Sequence, residues 1–129
     1  MEWVAKGTGT ILLVDDEEIV LEVGQKLLEA IGYRVLTARD GEQAIQVHRE
    51  YGDNIDVVVL DMVMPNMGGG EAYDRMREMN PGIRVLLSSG FTVDGEASEI
   101  LERGCDGFIQ KPFTIKQLSE KLSEILPGK

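Results

Sequence analysis

Asp15 and Asp16, Asp61, Ser89 and Lys111 are the residues of this 129-residue chain whose types could do chemistry together. Each stands at the end of a short aliphatic run: Thr10–Val14 before Asp15, 55–60 before Asp61, 83–87 before Ser88 and Ser89, and 107–110 before Lys111. Carboxylates held together repel one another and raise each other's pKa unless a cation neutralises them, so a hard divalent ion is implied. Mg2+ suits a site of a few carboxylate and carbonyl oxygens, because it keeps several waters and accepts a phosphate oxygen as a further ligand. An ionised Asp beside that ion can attack phosphorus and form an aspartyl phosphate. The oxygens of the transferred group then need cations or donors, which the metal, Lys111 and the Ser89 hydroxyl supply. Taken singly, the same residues have plainer roles. Asp15 and Asp16 suit a helix cap, Asp61 a turn, Ser89 a strand end and Lys111 a solvated surface. The chemical reading rests on their joint occurrence at four strand ends.

Those ends need a scaffold that brings them to one edge, and the pattern between them describes it. After Thr10–Val14 comes the acidic turn Asp15-Asp16-Glu17-Glu18, then Val20, Val23, Leu27, Leu28 and Ile31 at helical spacing up to Gly32. Val23, Leu27 and Ile31 read as the core-facing stripe, which leaves Ile19 and Val20 toward the sheet edge and solvent. Residues 33–38 form a second strand, and Asp40 caps a helix with Ala44, Ile45 and His48 on one side. The run 55–60 is a central strand buried on both faces, and 64–70 is a loop rich in Gly, Pro and Asn. A helix over 71–79 turns Tyr73 and Met76 inward, 83–87 is another strand, and 92–104 a helix with Ala97, Ile100 and Leu101 inward. The strand 107–110 and an amphipathic helix bearing Leu118, Leu122, Ile125 and Leu126 close the chain. Strands alternating with helices at short spacing mean right-handed crossovers and a parallel sheet covered on both faces, an α/β doubly wound sandwich of five βα units. Ligands of such sheets bind outside the carboxyl ends of the strands, where these polar residues collect.

Composition narrows the function classes. With 43% hydrophobic residues the chain suits one domain with one core. No apolar run reaches the roughly 18 residues of a membrane span, and no signal segment opens the chain, so a cytoplasmic protein without membrane contact is expected. The one cysteine, Cys105, fits a reducing compartment and reads as structural, as do His48 and the scattered methionines. A net charge of −10 with no Lys/Arg cluster excludes direct nucleic-acid binding.

The residues that carry the chemistry also carry a resemblance. Val14-Asp15-Asp16-Glu17, Leu60-Asp61-Met62-Val63-Met64-Pro65-Asn66-Met67-Gly68-Gly69, Ser88-Ser89-Gly90 and Lys111-Pro112-Phe113 together resemble the motif set of the receiver domains of two-component response regulators. The resemblance implies a flavodoxin-like fold with strand order 2-1-3-4-5, a flexible N-terminal segment over 1–9 and the receiver domain over 10–127. It implies Asp61 as phosphoacceptor, with Mg2+ held by Asp16, Asp61 and the backbone carbonyl of Val63, and by Asp15 through water. Ser89 is then the switch hydroxyl, Lys111 the phosphate-pairing cation, and the Lys111-Pro112 bond is expected to be cis.

The implied function is that of a phosphoacceptor signalling domain, catalysing only its own phosphorylation and dephosphorylation. The donor would be a histidine kinase or histidine phosphotransfer protein. Its output would be a switched face of the fourth helix, fifth strand and fifth helix, read by a partner or by phosphorylation-dependent dimerisation. The first turns of the helix after Asp16, with Ile19 and Val20, would meet the donor. Phe108 stands where the chemotaxis regulator has a switch tyrosine, so it keeps the bulk and loses the hydroxyl. Gly68 replaces a frequent Asp and Gly70 a bulky apolar residue, which predicts a loosely held start of the third helix. No effector domain follows Leu126, as in a stand-alone regulator or a receiver cut from a larger chain, and Ser89-Gly90-Phe91 with the Gly-rich loop resembles receivers of hybrid histidine kinases. A docking-only receiver usually lacks an acidic, hydroxyl or lysine position that this chain retains. A small Mg2+-dependent phosphatase of the haloacid-dehalogenase type would need a second acid two residues past its nucleophile; Asp16 is followed by Glu17 and Glu18, and no cap insertion is present.

Overall fold

The computed structural model describes residues 9–90 and 95–126. Expectations for 1–8, for the start of the fourth helix at Thr92, for Phe91 and for residue 127 lie outside the described residues. The strands are β1 (Thr10–Val14), β2 (Arg34–Ala38), β3 (Val57–Asp61), β4 (Val85–Ser89) and β5 (Gly107–Gln110). The helices are α1 (Glu18–Ala30), α2 (Gly41–Tyr51), α3 (Gly69–Met79), α4 (Gly95–Glu102) and α5 (Ile115–Ile125). All strand pairs are parallel, and the sheet order is β2-β1-β3-β4-β5. This is the doubly wound sandwich that the alternating pattern predicts, with the flavodoxin-like strand order that the resemblance implies. Among the described residues no helix is long and apolar enough to cross a membrane.

Side chains alternate across a strand, and here the alternation splits the core in two. Leu12, Val14, Val58, Leu60, Val85 and Leu87 pack with Ala44, Ile45, Ala72, Tyr73, Met76, Ala97 and Ile100 of α2, α3 and α4. Ile11, Leu13, Val57, Val59, Leu86 and Ile109 pack with Leu21, Leu28, Leu118 and Leu122 of α1 and α5. Continuing the same alternation past the strands puts Asp15, Asp61 and Lys111 on the α1/α5 side of the edge and Ser89 on the other.

Two strands lie further along the chain than their apolar runs suggest. Ile55 and Ile83 donate their N–H groups to the carbonyls of Gly52 and Asn80, which holds them in turns and out of the ladder. At the other end, Asp61 pairs in register with Ser88, and the Met62 N–H bonds the Ser88 carbonyl at 2.9 Å. Asp61, Ser88 and Ser89 are therefore inside the ladder.

The inward face of α1 differs from the expected stripe. Leu21 and Leu28 are buried, whereas Val23 and Leu27 are 51% and 40% exposed and Ile31 is partly buried. Gly24 is the cause. A Cβ there would lie 2.8 Å from Leu13 Cδ2, so the helix approaches β1 through its glycine. Positions 21, 24 and 28 then form the inner row, and Val20, Val23 and Leu27 turn to the flank. Ile19 is 68% exposed, as anticipated.

Asp40 caps α2 as expected, accepting the Gln43 N–H at 2.8 Å. On the same helix His48 is buried, and neither ring nitrogen has a hydrogen-bond partner among the described residues. Burial lowers its pKa from 6.5, with Asp53 pulling the other way. A histidine harder to protonate when folded gives stability that is present above the unfolded pKa and falls as pH drops below about 6.5. Replacing it by His48→Leu is therefore expected to raise stability by about 1 kcal/mol at pH 7, the scale of an unsatisfied buried polar group. The advantage should widen toward pH 5. Denaturant unfolding at several pH values checks this.

Candidate phosphoacceptor site at the sheet edge

The site is assembled by the tips of β1, β3, β4 and β5. Val14 and Leu60 are register partners on adjacent strands, so Asp15 and Asp61 stand side by side one step beyond. Both are buried, while Asp16 is exposed. Ligand atoms of Asp15, Asp16 and Asp61 all lie within 4.8 Å of one another. Lys111 reaches back from beyond β5, across the tip of β4. Its Nζ lies 2.9 Å from Asp15 Oδ2, 3.5 Å from Asp61 Oδ1 and 3.5 Å from Glu17 Oε1. The backbone beneath it is fixed by the Lys111 N–H bonding the Ser89 carbonyl at 2.7 Å, and the Lys111-Pro112 peptide is cis.

Ser89 is buried at the tip of β4. Phe108 pairs in register with Leu87 and packs, half-buried, on the α2–α4 side of the sheet, away from the acidic residues. Val63 lies in the loop after β3 with its side chain 63% exposed. The site residues predicted from sequence thus divide: Asp15, Asp16, Asp61 and Lys111 form one cluster, and Phe108 belongs to the flank that leads away from it.

Three features of the site escaped the sequence reading. Gly69 lets α3 begin directly against the strand that carries Asp61, since a Cβ there would fall 2.6 Å from the Asp61 carbonyl oxygen. Its N–H bonds the Met62 carbonyl at 2.9 Å, so the first turn of α3 is pinned despite Gly68 and Gly70. Asn66 adopts a left-handed backbone (φ 68°) and donates from Nδ2 to Asp40 Oδ2 at 3.1 Å, tying the loop after β3 to the cap of α2. The tripeptide Asn66-Met67-Gly68 signals a turn, yet its tether to Asp40 is a long-range fact without a local signature. Glu17 is the third: it looked like one more acid in a polar turn, and it is the third carboxylate on Lys111.

Electrostatics single out Asp61. Its pKa is raised to about 6, first by burial and then by Asp15, with Asp16 adding to the shift and Lys111 opposing it. For Lys111 burial works to lower the pKa, but the hydrogen bond to Asp15 and the charges of Asp61, Asp15 and Glu17 outweigh it, and the net shift is upward. One ammonium therefore serves three carboxylates while Asp16 remains close by. Such a donor set fits a hard divalent cation: oxygen ligands only, clustered, under-neutralised and open to solvent on the Asp16 side.

Comparisons with known proteins agree with this geometry. A family model described as the response regulator receiver domain matches residues 11–123. The sensor kinase CckA of Brucella abortus (strain 2308) is 37% identical over 120 residues, which cover 93% of this chain and 13% of that protein. Two-component response regulator 24 of Arabidopsis thaliana is 33% identical over 122 residues, 95% of this chain and 87% of that one. Thus the chain spans only a small part of the kinase and most of the plant regulator. Among solved structures, the CheX–CheY–BeF3–Mg2+ complex of Borrelia burgdorferi superposes with a TM-score of 0.86 at 26% identity, covering 91% of this chain and 88% of that one.

The raised pKa of Asp61 has a measurable consequence. A carboxyl with a folded pKa of about 6 against 3.8 costs the fold its full penalty above pH 6 and none below about 4. In metal-free buffer at pH 7.5, Asp61→Asn should therefore stabilise the protein by up to about 3 kcal/mol. The gain should shrink as pH falls from 6 to 4, and also on adding Mg2+. Thermal melts of the two proteins across that grid test it.

Proposed function

The chain belongs to the response regulator receiver domain family, and from that premise we propose that it takes a phosphoryl group from a phosphohistidine donor onto Asp61 with Mg2+. The observation that carries this is Asp61 itself, buried at a strand tip, repelled by two neighbouring carboxylates and touched by one lysine. By the family motif, Asp16, Asp61 and the Val63 carbonyl would hold the ion directly and Asp15 through water. When bound, the ion would neutralise these carboxylates and the oxygens of the incoming group.

In this reading an Asp61 carboxylate oxygen attacks phosphorus in line. The P–N bond to the donor imidazole breaks, its electron pair stays on nitrogen, and an acyl phosphate forms. Rigid backbone on both sides of Asp61 keeps the attacking oxygen in place, which is most of what such a transfer needs. Lys111 then shares its ammonium with the phosphoryl oxygens, and the Ser89 hydroxyl donates to another. Water attacking phosphorus later releases phosphate and returns Asp61 as carboxylate. The added charge pulls on Ser89 and Lys111, at the ends of β4 and β5, and so biases the face made by α4, β5 and α5. Phe108 contributes bulk to that movement and no hydrogen bond. Retention of every acidic, hydroxyl and lysine position favours this over a docking-only role.

A histidine kinase or phosphotransfer protein also needs a place to sit. Ile19, Val23 and Leu27 of α1 face Pro112, Phe113 and Ile115 across an apolar cleft of about 480 Å3, with Glu17 and Lys111 on its lining. The rotation of α1 about Gly24 makes this patch wider than Ile19 and Val20 alone. A partner helix laid there would bury apolar area and bring its imidazole toward Asp61.

Acetyl phosphate with Mg2+ is expected to add one phosphoryl group to the protein and none to Asp61→Asn, as read by intact-mass spectrometry; undiminished labelling of the variant would remove Asp61 as acceptor. For the cleft, Ile19→Ala should slow transfer from the cognate phosphohistidine protein roughly 3- to 10-fold, the scale of a truncated interface side chain. Its rate with acetyl phosphate, which needs no docking, should stay the same. An equal loss with both donors would assign Ile19 to the fold instead.

A further inference from the structure

We propose that Glu17 is a positioning residue that holds Lys111 back from the phosphoryl position until Asp61 is modified. The inference rests on the function proposed above. An ammonium has three N–H donors, and in this protein three carboxylates surround it. The contacts are unequal. Asp15 is buried, 2.9 Å from Nζ, and its other oxygen accepts the Glu17 N–H at 2.9 Å, so it is anchored on both sides. Asp61 is the residue the phosphoryl group joins. Glu17 is the one that can yield: its side chain is 60% exposed, its contact is long at 3.5 Å, and it stands at the N-cap of α1 without making a side-chain capping bond. Lys111, 14% exposed, has little other solvent to turn to.

Swinging Nζ toward oxygens added on Asp61 therefore means leaving Glu17 first. Glu17 lowers the apparent affinity of the site for any tetrahedral anion on Asp61, by the strength of the pair it forms with Lys111. Partly exposed ion pairs of this kind are worth roughly a two- to fivefold change in an equilibrium constant. Its location on the lining of the α1 cleft, beside Lys111, also puts the restraint where a docked donor would cover it.

Beryllofluoride with Mg2+ serves as the probe, titrated by calorimetry against the intact protein. Glu17→Gln is expected to bind roughly two to five times more tightly than wild type. Glu18→Gln removes the same charge one residue away, where the carboxylate is exposed and pairs with Arg39 at 3.6 Å, and should leave the affinity unchanged. In a Lys111→Gln background the Glu17→Gln gain should vanish, because the effect passes through the ammonium. Equal affinities of Glu17→Gln and wild type, equal gains from Glu17→Gln and Glu18→Gln, or a gain that survives loss of Lys111 would each overturn the inference and leave the phosphoacceptor reading standing. Failure of wild type to bind beryllofluoride would overturn both.

Discussion

Three carboxylates at one sheet edge are electrostatically unfavourable, and the structure around them is arranged to sustain that situation. Asp15 and Asp61 are both buried, and Lys111, the one lysine that reaches them among the described residues, is shared with Glu17. In water such groups would separate. In the folded chain they cannot, because Asp15 directly follows β1, which is locked in register with β3, and Asp61 is the last residue of β3, paired with Ser88 of β4. The repulsion is held by backbone hydrogen bonds and by two apolar clusters, which far outweigh it. What remains is a site with a standing demand for positive charge, on which the protonation of Asp61 draws and on which the proposed metal binding and phosphorylation would draw too.

The parallel sheet suits this task for a geometric reason. All its strands end on one edge, so four separate segments can each deliver a side chain to the same place. Alternation then selects the side of the edge: Asp15, Asp61 and Lys111 share the parity of the α1/α5 core, and Ser89 that of the α2–α4 core. In the proposed function the phosphoryl group would lie between the two layers, and a pull on Ser89 or Lys111 would reach opposite sides of the sheet. On the α3–α4 side, Arg77 donates to the Arg103 carbonyl and to Tyr73, and Arg103 pairs with Asp74 at 3.0 Å, so the end of α4 is clasped to α3.

Much of this was legible in the sequence, and the parts that were not have common causes. The five βα units and the polar strand ends follow from local patterns: aliphatic runs of strand length, helical spacing and punctuation by Gly, Pro and Asn. Strand limits shifted at Ile55 and Ile83 because turn hydrogen bonds compete with the ladder, which hydrophobicity does not report. The inward face of α1 was misjudged because Val20, Val23, Leu27 and Ile31 form as good a stripe as Leu21 and Leu28. A glycine in mid-helix was the signal to weigh, since only close approach to β1 explains Gly24. Glu17 and the Asp40–Asn66 tether depend on contacts between distant segments, and no local pattern distinguishes them from solvated polar residues.

The charge on Asp61 is the quantity to which the rest of the site responds, and it can be observed directly. Carboxyl 13C chemical shifts of the protein, labelled at aspartate and assigned with Asp61→Asn, give the titration of that side chain with and without metal. The expected midpoint is about 6 in metal-free solution, and saturating Mg2+ should move the titration below the ordinary aspartate value of 3.8. A midpoint near 3.8 without metal would mean that Asp61 is not strained by its neighbours, and one that Mg2+ leaves in place that it is not part of a cation site; either result would contradict the account.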